Sequence, residues 1–386
     1  MKILTNIQCA SLEELARHNF VISWRDYLHK KHRETQLVAI DLFWALNHDL
    51  GGNEQVLFED GNFKFVRKGI ICRSLRDIIA LSNDLSQFEN ELRPIIDAYR
   101  SAIFREKPDF VLINCTNCLP WCLYAAAKKE GVKKIAIHYH GILKKEIENY
   151  EKKPKDLLLK MELNFHGEND LVIFPSLLAK DTVEREVVVG KIKNWVIVPN
   201  AIPDYFFDVP QKTKGKGKNI GAVMRWSVVK NHEFLNKLAR YGAENKKQYR
   251  INIVSEPFRR DNDLYREMKG LVNFIAPLSN ADVCSFYSRM DAIVCPSHFE
   301  TYGNVAQESL AAGTPALVGR NMGIAGLFRD LGLDDWVIDY NNFDIAAEKI
   351  ENISFETVKQ SLRDELYKRL NTEMIYDSLF GAMSSL

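Results

Sequence analysis

Two hydrophobic rhythms alternate along the chain. Short uninterrupted apolar runs, each closed by Pro, Gly, Asn or Ser, are separated by longer stretches in which apolar residues recur at three- and four-residue spacing. The short runs predict strands at Lys2-Ile3-Leu4, Gln36–Ile40, Phe63–Val66, Gly69–Cys72, Pro108–Asn114, Lys134–Gly141, Leu171–Ser176 and Trp195–Ile202. A second series follows at Asn219–Met224, Ile251–Ser255, Asn273–Leu278, Ala292–Cys295 and Ala316–Val318. Between them, helical spacing runs through Leu12, Leu15, Ala16, Trp24, Tyr27 and Leu28, through Ser74–Phe104 with a break at Pro94, and around Ala125–Ala127. It returns after Asn231-His232, over Ala281–Met290 and from Phe355 to Leu386. Strands alternating with helices predict an α/β fold with a parallel sheet covered on both faces, and ligands then sit beyond the C-terminal ends of the strands.

The two strand series are separated by Pro210–Lys218, which is polar, rich in Gly and Lys, and without periodicity. This is the linker expected between two domains. The resulting division is 1–205, a linker at 206–218, a second domain at 219–370 and a terminal helix at 371–386. A chain of 386 residues exceeds the usual size of one domain and can bury two cores.

Composition narrows the class. Hydrophobic residues at 46% and charged residues at 27% are those of a folded globular chain. Lys and Arg total 52 against 51 Asp and Glu, so no global field recruits nucleic acid, and the lysines of the linker have no aromatic residues among them. No run of about 18 apolar residues is present, and the first apolar segment is too short for a signal peptide, so the expectation is a cytoplasmic protein. Cys115, Cys118 and Cys122 lack a second pair at metal-ligand spacing and are read as packed, reduced thiols. Gly51-Gly52 has no phosphate-loop context and is read as a turn.

The richest chemistry lies between Asp291 and Val318. The strand Ala292–Cys295 ends at Pro296, a polar turn carries Ser297, His298 and Glu300, and Gly303-Asn304 opens a helix that Gly313-Thr314-Pro315 stops. The first amides of a helix lack internal partners and hold anions, aided by the helix dipole. Glu300 before the helix and Glu308 one turn inside it would repel a phosphate, so they suit hydroxyl groups on either side of it. A sugar hydroxyl and a ribose diol meet that description, which points to a nucleotide-sugar site. Arg225 and Lys230 flank another strand-to-helix turn, where a guanidinium and an ammonium can converge on one diphosphate. His140 stands at a predicted strand end before Gly141, and His138 lies two residues earlier on the same strand face.

Glu300 and Glu308 sit inside Pro-Ser-x-x-Glu-Thr-Tyr-Gly, followed by Ala-Ala-Gly-Thr-Pro-Ala-Leu-Val; the whole string resembles the signature of retaining glycosyltransferases of the GT-B fold, family 4 in particular. The resemblance implies two Rossmann-like domains facing each other across a central cleft. The first would bind the acceptor and the second the nucleotide-sugar donor, with the terminal helix packing back on the first. It implies that Arg225 and Lys230 bind the diphosphate, Glu300 the sugar hydroxyls and Glu308 the ribose diol, with the amides around Tyr302, Gly303 and Asn304 at the phosphates. It further implies that Ile275 and Ala276 hold the base through backbone groups and that His140 contacts the donor sugar, with His138 as its competitor. Retention of anomeric configuration is likewise an implication of the family.

The chain departs from the family pattern at three places. Asn6–Ala10 replaces a glycine-rich loop, Ala201 replaces the glycine of a strand-Pro-Asn-Gly ending, and no glutamate follows Asn321–Gly326. No Asp-x-Asp string stands where a metal-dependent transferase would want one, and two cations can neutralise a leaving diphosphate, so the expected enzyme takes no metal and no cofactor beyond its donor, a UDP-sugar first among candidates. The lysines and leucines of Leu143–Phe165 suit either a solvated helix face or peripheral contact with an anionic membrane. The expected activity is transfer of a hexose-type sugar to a glycan, a lipid- or protein-linked sugar or a small hydroxyl compound. A sugar-nucleotide 2-epimerase, a hydrolase or a non-catalytic binding protein on the same fold are the alternatives.

Overall fold

The computed structural model describes residues 1–7, 19–44, 53–148, 150–210, 219–247, 249–255, 262–354 and 356–386. The expected helix around Leu12–Ala16, the Gln8–Ala10 loop, the Gly51-Gly52 turn and residues 211–218 of the expected linker lie outside these residues. The chain forms two compact units, one of Met1–Val198 with Tyr376–Leu386, the other of Pro199–Ile375.

The first unit is built on β1 (Lys2–Ile7), β2 (Gln36–Trp44), β3 (Glu54–Asp60), β4 (Phe63–Ile70), β5 (Phe110–Asn114), β6 (Ile135–His138), β7 (Leu171–Phe174) and β8 (Trp195–Ile197). They make one sheet in the order β3-β4-β2-β1-β5-β6-β7-β8. Every pairing is parallel except the β3–β4 hairpin. Phe63–Val66 and Gly69–Cys72, expected as two short strands, are one strand, β4, because its register against β2 runs unbroken from Phe63 to Ile70. The helical stretch after Ser74 divides into Leu75–Leu81, Leu85–Glu91 and Arg93–Glu106, and Pro94 opens the last of these, where its missing N–H has no partner to lose. Chain order reverses between β1 and β5, which opens a crevice at their C-terminal ends.

The last eleven residues complete this unit. In the helix Thr372–Ser384, Tyr376 lies 5.0 Å from the Trp24 ring and Phe380 stacks on His32 at 3.8 Å. The Tyr27 hydroxyl donates to Asp377 at 2.7 Å. Trp24 is fully buried in this cluster, stacked on Tyr27.

The second unit carries β9 (Asn219–Val223), β10 (Arg250–Val254), β11 (Asn273–Ile275), β12 (Ala292–Cys295), β13 (Ala316–Gly319) and β14 (Val337–Ile338), ordered β11-β10-β9-β12-β13-β14 and parallel throughout. Its core joins strand residues such as Ile220, Ala222, Ile253 and Val294 to Leu235, Leu238 and Ile350 from the covering helices. Gly221 is required by close approach: a Cβ there would fall 2.6 Å from Ile293 Cδ1 and 2.7 Å from Met290 Cγ. The unit begins at Pro199, ahead of β9, because Ile202 bonds the Leu370 carbonyl and Phe206 is buried against Tyr287. Chain order reverses here between β9 and β12. Among the described residues no helix is long and apolar enough to cross a membrane.

Truncating a buried aromatic of this kind costs about 3–5 kcal/mol. Trp24→Ala is therefore expected to lower the urea midpoint of the first unit, and an unchanged midpoint would show that the terminal helix contributes nothing to its stability.

Candidate active site

The β9–β12 reversal brings two loops side by side, and hydrogen bonds stitch them together. After β9 the chain makes a tight turn at Val228–Lys230, and Asn231, at φ 56°, caps the helix His232–Glu244 by accepting from Phe234 N at 3.2 Å. The Asn231 amide donates to the Pro296 carbonyl at 3.1 Å, and His298 N donates to the Val229 carbonyl at 2.8 Å. With the loops so tied, Lys230 Nζ lies 2.9 Å from Glu300 Oε1, which also accepts from the Ser297 hydroxyl at 2.6 Å. Residues 319–324 support the loop from the other side, with Gly323 N donating to the Glu300 carbonyl at 3.0 Å and Ile324 N to that of Tyr302 at 2.9 Å.

Gly303 then turns the chain into the helix Asn304–Ala311 at φ +129°, and a Cβ there would meet Ile324 Cγ2 and Met322 Cε at 2.9 Å. Only glycine combines that backbone with that space. The Asn304 side chain accepts from Asn200 at 2.7 Å, and Gln307 donates to the Asn200 carbonyl at 3.1 Å. At the other end of the helix, buried Arg363 donates to the Ala311 carbonyl at 2.8 Å and also to those of Phe207 and Val209, placing a cation where the helix dipole is negative.

Glu308 is half-buried on this helix and accepts from the hydroxyl of fully buried Tyr287 at 3.0 Å. Burial pushes its carboxyl up to about 7, against the opposing pull of the tyrosine hydrogen bond. The two carboxylates thus sit in different surroundings: Glu300 faces an ammonium and Glu308 a phenol.

The other expected site residues fall as follows. Arg225 stands exposed just beyond β9, without an ion pair or hydrogen bond among the described residues. Ile275 ends β11, an edge strand, and its carbonyl already accepts from Ser255 N at 3.1 Å, while Ala276 follows it exposed. Tyr302 is buried, so its backbone rather than its ring borders the helix start. Among the described residues no group of His, Cys, Asp and Glu is placed to hold a metal ion.

His140 belongs to the first unit, one residue beyond Tyr139 at the end of β6, and is half-buried; burial brings its imidazole down to about 4. His138, 4.1 Å away ring to ring, is buried outright and held well below the usual range by burial first and by His140 second. The loop after His140 is gripped from two sides. Buried Glu162 accepts from Leu143 N at 2.8 Å and Lys144 N at 3.0 Å, and Lys144 Nζ donates to the Glu186 carbonyl at 2.6 Å while Lys145 pairs with the Glu186 carboxylate at 2.8 Å. That carbonyl belongs to a π-helical turn, Val183–Val188. Lys152, Lys153 and Lys155 likewise bond acceptors of the protein, and Leu157, Leu158, Met161 and Phe165 are buried inside the unit. These four side chains face inward, while Leu163 is exposed. Cys118 and Cys122 are buried thiols raised by burial, Cys118 to about 12.

Sequence reasoning missed Asn200, Tyr287 and, in the first unit, Asn114, whose side chain meets His140 Nε2 at 3.3 Å. Asn200 and Asn114 each follow an apolar run, the one signal available for them; Tyr287 lies within the apolar face of the helix Asn280–Arg289 and carries none.

Residues 206–370 match the family described as Glycosyl transferases group 1. Mannosylfructose-phosphate synthase of Agrobacterium fabrum is 25% identical over 266 residues, which cover 61% of this chain and 56% of that protein. D-inositol 3-phosphate glycosyltransferase of Corynebacterium kroppenstedtii is 30% identical over 110 residues, or 28% of this chain and 22% of that protein. The chain thus aligns with about half the length of the first relative, and with less of the second. Among solved structures, sucrose-phosphate synthase from Thermosynechococcus elongatus superposes with a TM-score of 0.72 at 15% identity, covering 99% of this chain and 100% of that one. The structure described as trehalose-6-phosphate from E. coli bound with UDP-2-fluoro glucose does so with a TM-score of 0.71 at 11% identity, covering 100% and 99%. The fold is that of the GT-B glycosyltransferases, with a Rossmann-like sheet in each unit, and the match to Glycosyl transferases group 1 falls on the second half of the chain.

The Glu308 environment sets a measurable pH dependence. Its folded value of about 7 lies above the unfolded value near 4.5, so the neutral carboxyl contributes stability that is present below about 4.5 and lost as pH rises through about 7. The stability of the ligand-free protein relative to Glu308→Gln should fall across that window and level off above it. Parallel pH profiles of the two proteins would contradict this picture of the site.

Proposed function

We propose that the protein is a retaining glycosyltransferase that moves a hexose-type sugar from a nucleotide-diphosphate sugar to a hydroxyl acceptor. The observation that carries this reading is the cluster at the β9–β12 reversal: Lys230 paired with Glu300 beside the Gly303 helix start, with Glu308 on the same helix.

The chemical problem is departure of a diphosphate while the sugar carbon gains positive charge. Arg225, Lys230 and the amides at Gly303 and Asn304 neutralise the leaving phosphates, the kind of preorganised charge that contributes most to catalysis. When the phosphate draws Lys230 to itself, Glu300 is released to accept hydrogen bonds from the sugar hydroxyls. Glu308 accepts the ribose diol, with Tyr287 holding one of its oxygens. Backbone groups at Ile275 and Ala276 border the base, and His140 contacts the donor sugar. Two cations serving the leaving group allow turnover without a metal. The donor proposed first is a UDP-sugar, since one of the similar structures is described as bound with UDP-2-fluoro glucose.

Acceptors to try first are sugar and cyclitol phosphates, because phosphorylated compounds recur in the names of the relatives and similar structures. Free sugars and lipid-linked sugars form the other arms of the screen.

The test is calorimetry with UDP, GDP and ADP followed by donor turnover with and without acceptors, in the presence of EDTA. Acceptor-dependent release of nucleotide and a product of retained anomeric configuration are expected. Donor consumption without acceptor would indicate a hydrolase or epimerase, and binding without turnover a non-catalytic protein. Glu308→Ala should weaken nucleotide binding by about tenfold, in line with the loss of a half-buried hydrogen-bond acceptor, whereas Glu300→Ala should lower turnover and leave nucleotide affinity near that of the parent. Equal effects of the two would contradict the roles assigned.

A further inference from the structure

At the β1–β5 reversal of the first unit, four hydrogen bonds run in an order that leaves one choice at each step. The Thr5 hydroxyl has a single proton and donates it to the Leu112 carbonyl at 2.7 Å. Its oxygen therefore acts as the acceptor for the Asn114 side chain, 3.0 Å away. A second pure acceptor, the Asn6 carbonyl, lies 3.5 Å from the same Asn114 atom. Two acceptors on one side identify that atom as the NH2 group, so the Asn114 oxygen is the atom that faces His140 Nε2 at 3.3 Å. An amide oxygen only accepts, and Nε2 must carry the proton.

The asparagine is itself held from behind. The Asn6 side chain makes a reciprocal pair with the Asn114 backbone, donating to its carbonyl at 2.9 Å and accepting from its N–H at 2.8 Å. Thr5 and Asn6 are buried, so neither can exchange these partners for water at small cost. The chain Leu112–Thr5–Asn114 thus fixes a polarity at the point where β6 ends.

We infer that Asn114, oriented by Thr5 and Asn6, is a positioning residue that holds neutral His140 as the Nε2–H tautomer and makes Nδ1 the nitrogen with the lone pair. A ring in this form accepts a hydrogen bond from a hydroxyl through Nδ1. Its use toward a donor-sugar hydroxyl rests on the role given to His140 above; the tautomer itself does not. An asparagine suits this task better than an aspartate would, because it orients the ring without adding charge beside it.

The test reads the tautomer directly, by NMR of the full chain carrying 15N- and 13C-labelled histidine, with His140 identified by its loss in His140→Gln. In the parent protein at neutral pH, Nε2 should resonate as a protonated nitrogen and Nδ1 as a bare one. Asn114→Ala should abolish that preference, Asn114→Asp, which keeps an oxygen in place, should retain it, and Thr5→Val, which frees the amide to turn over, should weaken it. An Nδ1–H ring in the parent, or an Nε2–H ring that persists in Asn114→Ala, overturns the inference. Should Asn114→Ala fail to fold, the parent spectrum and Thr5→Val decide the question between them.

Turnover separates this inference from the functional reading. With both correct, Asn114→Ala lowers kcat by about tenfold or more through loss of alignment while nucleotide affinity, a property of the second unit, stays constant. Full turnover in His140→Ala would remove the histidine from the proposed reaction and leave the tautomer assignment standing. Loss in His140→Ala with none in Asn114→Ala would reject Asn114 as a positioning residue.

Discussion

A parallel strand can be joined to its neighbour only by a crossover that carries the chain back to the starting edge, and right-handed crossovers build a sheet outward in one direction. A sheet with helices on both faces must therefore start in its middle, build to one side, return and build to the other. In each unit the strand that opens the sheet, β1 or β9, lies beside the strand that begins the return, β5 or β12. The loops leaving such a pair depart to opposite faces, and the gap between them is where side chains of both can meet. Lys230 meets Glu300 in one such gap, and Asn6 meets Asn114 in the other.

The two gaps are filled by different chemistry. The second unit places charges there, arranged so that one carboxylate is matched by an ammonium and the other is kept near neutrality by burial. Its loops are fastened to each other by Asn231 and His298 and to residues 319–324 by backbone hydrogen bonds, so the charges are held before any ligand arrives. The first unit places uncharged amides and hydroxyls at its gap, and burial disfavours the charged forms of His138 and His140. Behind the His140 loop, the Glu162 carboxyl fixes the backbone of Leu143 and Lys144, and Glu186 holds the side chains of Lys144 and Lys145. Preorganisation is common to both units; what differs is whether the result is a field or a hydrogen-bond polarity.

Much of this architecture was legible in the sequence because buried parallel strands are uninterrupted apolar runs. Ala292–Cys295, with all four residues buried, reads at once as a strand. Strand β3 escaped notice for the converse reason: Glu54–Asp60 is a largely exposed edge strand whose short apolar run, Val56–Phe58, is bounded by charged and polar residues. Strand β14 is two residues long, too short to show a pattern. At the site, Gly303, Glu300 and Glu308 stood out because backbone geometry and local spacing dictate them. Tyr287 and Asn114 did not, since each acts on a residue brought to it by sheet order, and sheet order is invisible to a local pattern. The lysines of Leu143–Phe165 show the same limit, as spacing reveals their number but not the acceptors that hold them.

The terminal helix imposes an order on assembly. Tyr27 and its partner Asp377 are 350 residues apart in the chain, and Trp24 is covered only when Tyr376 and Phe380 arrive. During synthesis the first unit leaves the ribosome lacking Tyr376 and Phe380, which close its aromatic cluster, while the whole of Pro199–Ile375 emerges before them. The second unit, though later in sequence, is therefore the first whose chain is complete. Until Tyr376–Leu386 has emerged, the amino-terminal half lacks residues that pack on Trp24, although every residue of the second unit has already been made.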